Sequence, residues 1–227
     1  MRGKLIVIEG TDCSGKETQS NLLVDALRNN GIRIQKFSFP NYQSPTGKMV
    51  GGPYLGKESI SKSYFEEGPS KVDPKVASLY YAADRKYNIY KITWLLENGV
   101  HVLLDRYVYS NMAHQGGKIV DKEERDAMYQ FLDTLEFSLL ELPRPDIAIF
   151  LHMPLVYALQ LRNLREELDG NEKDIEHLKN AEKSYIELSK KYDFKCIECA
   201  DTDIKSIEAI HKEVYTYVEK ELEDRLC

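Results

Sequence analysis

The sequence predicts an α/β fold, a parallel sheet wound on both faces by helices, on the strength of three observations. Short apolar, β-branched runs recur along the chain, without the polar alternation of a sheet that is wetted on one side. Stretches with apolar residues three and four positions apart separate these runs. A glycine-containing loop joins the first run to the first such stretch.

Residues 4–9 (KLIVIE) read as a strand stopped by Gly10, and residues 16–28 as a helix with Leu22, Leu23, Ala26 and Leu27 at helical spacing, ended by Asn29-Asn30-Gly31. Residues 33–39 (RIQKFSF) alternate like a second strand and stop at Pro40. The glycine- and proline-bearing stretch 41–69 predicts a long loop with one helical turn. A helix then opens at Asp73-Pro74 and closes at Asn98-Gly99, with Val76, Leu79, Tyr80, Ala83, Tyr87 and Tyr90 as its apolar face. Residues 102–104 form an apolar strand closing on Asp105, and 146–151 (DIAIFL) another, with a helix between them from about 121 to 140. The charged segment 158–191 precedes a last strand over 194–199. A final amphipathic helix carries Ile207, Ile210, Val214 and Val218.

A chain of 227 residues is long enough for one full core and too short for two large domains, so a single unit over 1–227 is expected. Its 31 Lys+Arg against 37 Asp+Glu give a net charge of −6, which argues against coating nucleic acid or an anionic membrane through overall charge. Any anionic ligand must meet locally gathered cations. No apolar run approaches the roughly 20 residues that span a bilayer, and no signal-like segment opens the chain. Together with four unevenly spaced cysteines, this gives the expectation of a cytoplasmic protein. Cys196 and Cys199 form a CxxC without a second ligand pair, so buried thiols are expected there rather than zinc.

Gly10-Thr11-Asp12-Cys13-Ser14-Gly15-Lys16 lies between a strand and a helix start, the setting in which GxxxxGK aims backbone N–H groups at phosphate oxygens. The loop with its flank, 10–18, is the candidate nucleotide-phosphate site. Position 17, where a magnesium-ligating Ser or Thr is usual, is Glu17, followed by Thr18. A carboxylate about 5 Å from a phosphate charge costs on the order of 3 kcal/mol at an effective dielectric near 20. Glu17 is therefore expected to hold the metal together with Asp105 and water, since Mg²⁺ takes carboxylate and water oxygens. A GTPase NKxD and an ABC-type LSGGQ are both absent from the sequence.

Five segments in order, GTDCSGKETQ at 10–19, Phe39-Pro40-Asn41-Tyr42, Tyr81-Ala82-Ala83-Asp84-Arg85, Asp105-Arg106-Tyr107 with Ser110-Asn111, and Ala113-His114-Gln115, resemble the signature segments of thymidylate kinase. The resemblance runs from residue 4 to about 218. It implies a P-loop kinase fold with a short lid over about 158–176, transfer of the ATP γ-phosphoryl to dTMP with Mg²⁺, and a homodimer. Carried over, it implies that Lys16 steadies the transferred phosphoryl, Asp12 faces the acceptor 3′-hydroxyl and Arg106 grips the acceptor phosphate. It further implies that Tyr81 stacks on the base, Arg85 reads a base carbonyl and Asn111 reads the base edge. Residues 81 and 85 share a helix face independently of the resemblance.

The sequence departs from the family at several positions. Tyr42 stands where an arginine commonly follows Phe-Pro, and His114 where many members place a tyrosine against the ribose 2′-hydroxyl. Cys13 leaves the loop without an arginine, so the charge for the transfer is expected from Arg162 or Arg165 in LQLRNLREELDGNEKD (159–174), although Asp169-Gly170-Asn171 lacks the arginine of many lids. Two alternatives stay open at this point: a kinase of the same fold acting on another nucleotide or a nucleoside, and a nucleotide-binding regulatory protein impaired by Glu17.

Overall fold

The computed structural model describes residues 2–163, 171 and 173–223. Five parallel strands lie in the order β2-β3-β1-β4-β5: β1 (Leu5–Gly10), β2 (Ile34–Ser38), β3 (His101–Asp105), β4 (Ile147–His152) and β5 (Lys195–Glu198). β1 is central and fully buried, in register with β3 (Ile8 opposite Asp105) and with β4 (Ile8 opposite Ile149). The phosphate loop and the loop after β3 therefore leave the sheet side by side at its carboxyl edge, where the strand order reverses and open α/β sheets bind ligands.

Alternation along β1 divides the core in two. Leu5 and Val7 join a cluster with Val102, Leu104 and Phe150 under α3 (Pro74–Glu97), α4 (Val108–Gly116), α5 (Lys122–Asp133) and α7 (Ile175–Lys191). Ile6 and Ile8 join the opposite cluster, under α1 (Lys16–Asn29) and α8 (Ile207–Glu223). A third, smaller cluster gathers Val50, Tyr54, Leu55, Val72 and Ala77, with Phe65, Tyr80 and Tyr81 packed against it.

That third cluster amends the expectation of a long loop with one helical turn over 41–69: the helical part is longer and packed. The helix α2 (Pro45–Met49), capped by Ser44, runs into a π-helical turn at Val50–Tyr54. Buried Asp84 on α3 ties this segment down by accepting from the backbone N–H of Asn41 at 2.8 Å, the Ser44 hydroxyl at 3.0 Å and the Thr46 hydroxyl at 2.9 Å. The pattern in the sequence registered glycine and proline as breakers and could not register a carboxylate forty residues away.

Three further expectations change. On α3 the buried residues include Ala77, Ala82, Arg85, Ile89, Ile92 and Leu96. Val76, Leu79, Tyr87, Tyr90 and Trp94 on the other side are solvent-exposed, so the apolar face read from the sequence points away from the core. α4, a short helix of mixed composition, was not anticipated. Cys199 is buried but Cys196 is exposed, because β5 is the edge strand. All five strands lie where the sequence put them to within about two residues, and the last helix carries the four apolar residues read for it and runs on to Glu223. No helix among the described residues is long and apolar enough to cross a membrane.

Candidate active site

Gly10 and Gly15 shape the phosphate loop for different reasons. A Cβ at Gly10 would stand 2.6 Å from the Leu151 carbonyl and from Ser14 Oγ, so no side chain fits. Gly15 has open space but a φ of 80°, left-handed, immediately before α1 begins at Lys16. Cys13 also lies in the left-handed region, at φ 62°, which turns the loop without a glycine. Lys16 is buried, and its Nζ donates to the Thr11 carbonyl at 2.5 Å and to Ser14 Oγ at 3.4 Å. Burial, and then the nearby Arg106 charge, push its ammonium down to about 8, against the pull of Asp12 and Asp105. A phosphate brought to this loop would supply the negative charge that the lysine lacks.

Arg106 lies one residue past β3, at φ 68°. Its Nη2 donates to the Asp12 carboxylate, and its Nη1 reaches the Gly10 carbonyl at 3.3 Å. Burial disfavours its charge, but Asp12, Tyr185 and Asp105 outweigh that and hold it above the ordinary guanidinium value. Beneath it stands Glu9, a residue the sequence reading missed. It is fully buried and accepts from the backbone N–H of Tyr107 (2.8 Å) and Ser110 (3.2 Å), from Ser110 Oγ (2.5 Å) and from the Tyr185 hydroxyl (3.2 Å). Burial raises its carboxyl above the usual range, partly offset by the Ser110 bond and by Arg106. Glu9 thereby fastens the Arg106 loop and the start of α4 to β1. A glutamate inside an apolar strand was the available signal.

A cavity opens beside this loop, between the strand ends and α3. Asp12, Phe39, Pro40 and Tyr42 line it from the strand ends, and Tyr81 and Arg85 from α3. Arg106, Asn111, His114 and Asn171 complete its polar wall. Every substrate-contacting residue expected from the sequence is therefore here except Gln115, which is fully buried and lines no part of the cavity.

Arg85 is buried in a bidentate pair with Glu136, donating through Nε and through Nη2 at 2.7 Å, and its charge is favoured by that partner despite burial. Asn111 Nδ2 donates to the same carboxylate at 2.9 Å and to the Ser78 carbonyl at 3.1 Å. Glu136 was not anticipated, since an isolated glutamate in a helical stretch reads as solvated. At another wall, His114 Nδ1 lies 3.1 Å from His177 Nε2 and the two rings stack. Burial holds His114 well below the ordinary imidazole value and pushes His177 down to about 4.

Asp105 ends β3, buried near Lys16, whereas Glu17 and Thr18 are exposed on the first turn of α1. No group of three or more metal-ligating side chains gathers among the described residues. Of the two, Asp105 alone is buried beside the loop, and a single carboxylate is compatible with Mg²⁺, which keeps several waters and takes the rest of its oxygens from one or two carboxylates and substrate phosphate. Arg162 ends α6 (Leu155–Arg162), half-buried and outside the cavity wall. Arg165, with residues 164–170 and 172 of the lid segment, lies outside the described residues.

A family model described as thymidylate kinase matches residues 8–214. A probable thymidylate kinase of Pyrococcus horikoshii is 31% identical over 98% of this chain and 98% of its own length. The thymidylate kinase of Schizosaccharomyces pombe is 32% identical over 96% of this chain and 92% of its own, and that of Homo sapiens 31% over 94% and 88%. Among solved structures, a Candida albicans thymidylate kinase superposes with a TM-score of 0.72 at 24% identity, covering 96% of this chain and 92% of that one.

Proposed function

Because the chain belongs to the thymidylate kinase family, we propose that it transfers the γ-phosphoryl of ATP to dTMP, with the phosphate loop at 10–18 holding the donor and the cavity beside it the acceptor. One observation carries the reading. Arg106 reaches the phosphate loop through Asp12 and the Gly10 carbonyl, and at the same time lines the cavity, so one cation stands where two nucleotides would meet end to end.

Lys16 takes the donor phosphates, and its burial makes that charge more effective than it would be in water. Arg106 grips the acceptor phosphate, and Asp12 holds Arg106 in place while facing the acceptor's 3′-hydroxyl. Tyr81 stacks on the base, with Arg85 and Asn111 meeting its edge. Phe39, Pro40 and Tyr42 close the side nearest the sheet. Transfer between groups already anionic needs little proton movement, so placement and charge neutralisation dominate. Mg²⁺, held by Asp105 and Glu17 with water, would screen the facing phosphates. Arg162, with Arg165, is the reading for the lid's positive charge.

The acting unit is read as a homodimer. Val76, Leu79, Tyr87, Tyr90 and Trp94 leave one face of α3 apolar and wet, with Tyr90 80% and Trp94 51% exposed. A second copy of the same face would cover it, as a two-fold interface requires. A cytoplasmic location accords with the reducing environment that the free cysteines suggest.

A coupled assay of ADP release with dTMP, dUMP, UMP and thymidine tests the reading. It expects dTMP to be the fastest acceptor. Thymidine faster than dTMP, or nucleotide binding without any transfer, would overturn it.

A further inference from the structure

We propose that Glu136 sets the base preference of the acceptor cavity by fixing the hydrogen-bonding direction of both Arg85 and Asn111. The inference rests on the reading of that cavity as the acceptor site. Glu136 does not line the cavity. It is fully buried in the π-helical turn Thr134–Leu139 that extends α5, and it acts through its two neighbours.

An ionised carboxylate only accepts, and so does a backbone carbonyl. Asn111 has the Glu136 carboxylate at 2.9 Å and the Ser78 carbonyl at 3.1 Å beside one end of its amide. Two acceptors compel the nitrogen to that end, and Oδ1 must occupy the other. That oxygen is buried without a hydrogen-bond partner, on a residue that lines the cavity. A buried acceptor left unpaired is unfavourable until a ligand donor meets it.

Arg85 is committed in the same way. Nε and one proton of Nη2 go to Glu136, and Nη1 reaches the Tyr107 carbonyl at 3.4 Å. One proton on each terminal nitrogen is left over, on a side chain that also lines the cavity. Two residues of the wall that share one Glu136 oxygen thus carry an uncommitted donor and an uncommitted acceptor, and Glu136 cancels the arginine's charge there. A base with a carbonyl beside an imide N–H, thymine or uracil, complements that pair. Cytosine carries an amino group and an unprotonated ring nitrogen at the same two positions, so donor would face donor and acceptor face acceptor. Sites built to pair a ligand's polar edge reject the mismatched edge far more strongly than apolar pockets reject a size change.

Glu136→Gln removes the constraint at its source. A glutamine has one accepting atom where three N–H groups need acceptors, so the Asn111 amide is free to reverse and Arg85 regains its net charge. Kinetics of wild type and Glu136→Gln with dTMP and with dCMP, together with the KM for ATP and the thermal midpoint, test this. The expected result is a loss of about tenfold or more in kcat/KM for dTMP, carried by KM, and a dTMP-over-dCMP ratio that shrinks by about as much, with the KM for ATP unmoved. A merely structural role would lower the midpoint and leave the ratio alone.

Should Glu136→Gln fail to fold, Glu136→Asp serves the same comparison. It keeps the charge, but its arm is one methylene too short to serve Arg85 and Asn111 together, so it too should lose discrimination. A ratio within about twofold of wild type in whichever variant folds overturns the proposal. Wild type that transfers to dTMP and dCMP equally also overturns it. Wild type that transfers to neither removes the acceptor reading instead.

Discussion

Arg106 and Asp12 are joined by an ion pair that ties the loop after β3 to the phosphate loop after β1, and both line the cavity beside them. Removing either partner strands the other where water is scarce. Arg106→Ala is expected to lose at least about a hundredfold in kcat, the scale on which a positioned charge contributes to a transition state. Asp12→Asn keeps the shape and should cost less, mainly in the KM for the acceptor. Steady-state kinetics with dTMP check both.

Lys16 is stationed for a ligand at the expense of the empty protein. Its ammonium is pushed down to about 8 by burial, so folding works against its charge below that pH. Lys16→Met is expected to abolish transfer while leaving the nucleotide-free thermal midpoint equal to or above that of wild type. Calorimetry alongside the ADP assay reads both. A midpoint several degrees lower would contradict the account.

The His114–His177 pair predicts an acid limb to stability. Both folded-state values lie below the ordinary imidazole value of 6.5, so on acidification the unfolded chain takes up the protons first. Stability is therefore complete above about pH 6.5 and falls as pH drops towards 4. For His177 alone the shift corresponds to roughly 3 kcal/mol. Urea midpoints at pH 7.5 and 5.0 should differ for wild type, and the difference should narrow in His177→Gln.

The exposed face of α3 predicts dependence on self-association. Tyr90→Glu with Trp94→Glu places charge on that face without touching the cavity. Sedimentation should shift the species from dimer to monomer. A wild-type monomer at micromolar concentration would end the dimer reading.

Arg162 and Arg165 are expected to divide the role of the lid. Replacing each by alanine should lower turnover by at least about tenfold for one of them, equivalent to roughly 1.4 kcal/mol of barrier. Losses below that in both would send the search for the positive charge elsewhere.

What the sequence made legible was whatever depends on neighbours along the chain. The five strands, the glycine loop and the end-of-strand Asp105-Arg106 follow from local patterns, and each lies where those patterns put it. Tyr81 and Arg85 reach one cavity because four residues make about one helical turn. The misses depend on distance in sequence. Glu9, Glu136 and His177 acquire meaning only from partners 25 to 176 residues away; Glu136 and His177 are ordinary residues in their own windows, and only Glu9, a carboxylate in an apolar strand, stands out locally. The face of α3 was misassigned for a related reason. Periodicity finds an apolar stripe, but it does not say whether the chain's own core or another surface covers it.

Tyr81, on the wall of the cavity, is rooted in the small cluster around Tyr54, whereas Lys16 belongs to a helix packed on the sheet. Changes that reshape the pocket for a different base can accumulate around Tyr54, Phe65 and Tyr80 while the framework holding the phosphate donor stays untouched. A lineage carrying this architecture could retune which monomer it accepts without relearning how to hold its fuel.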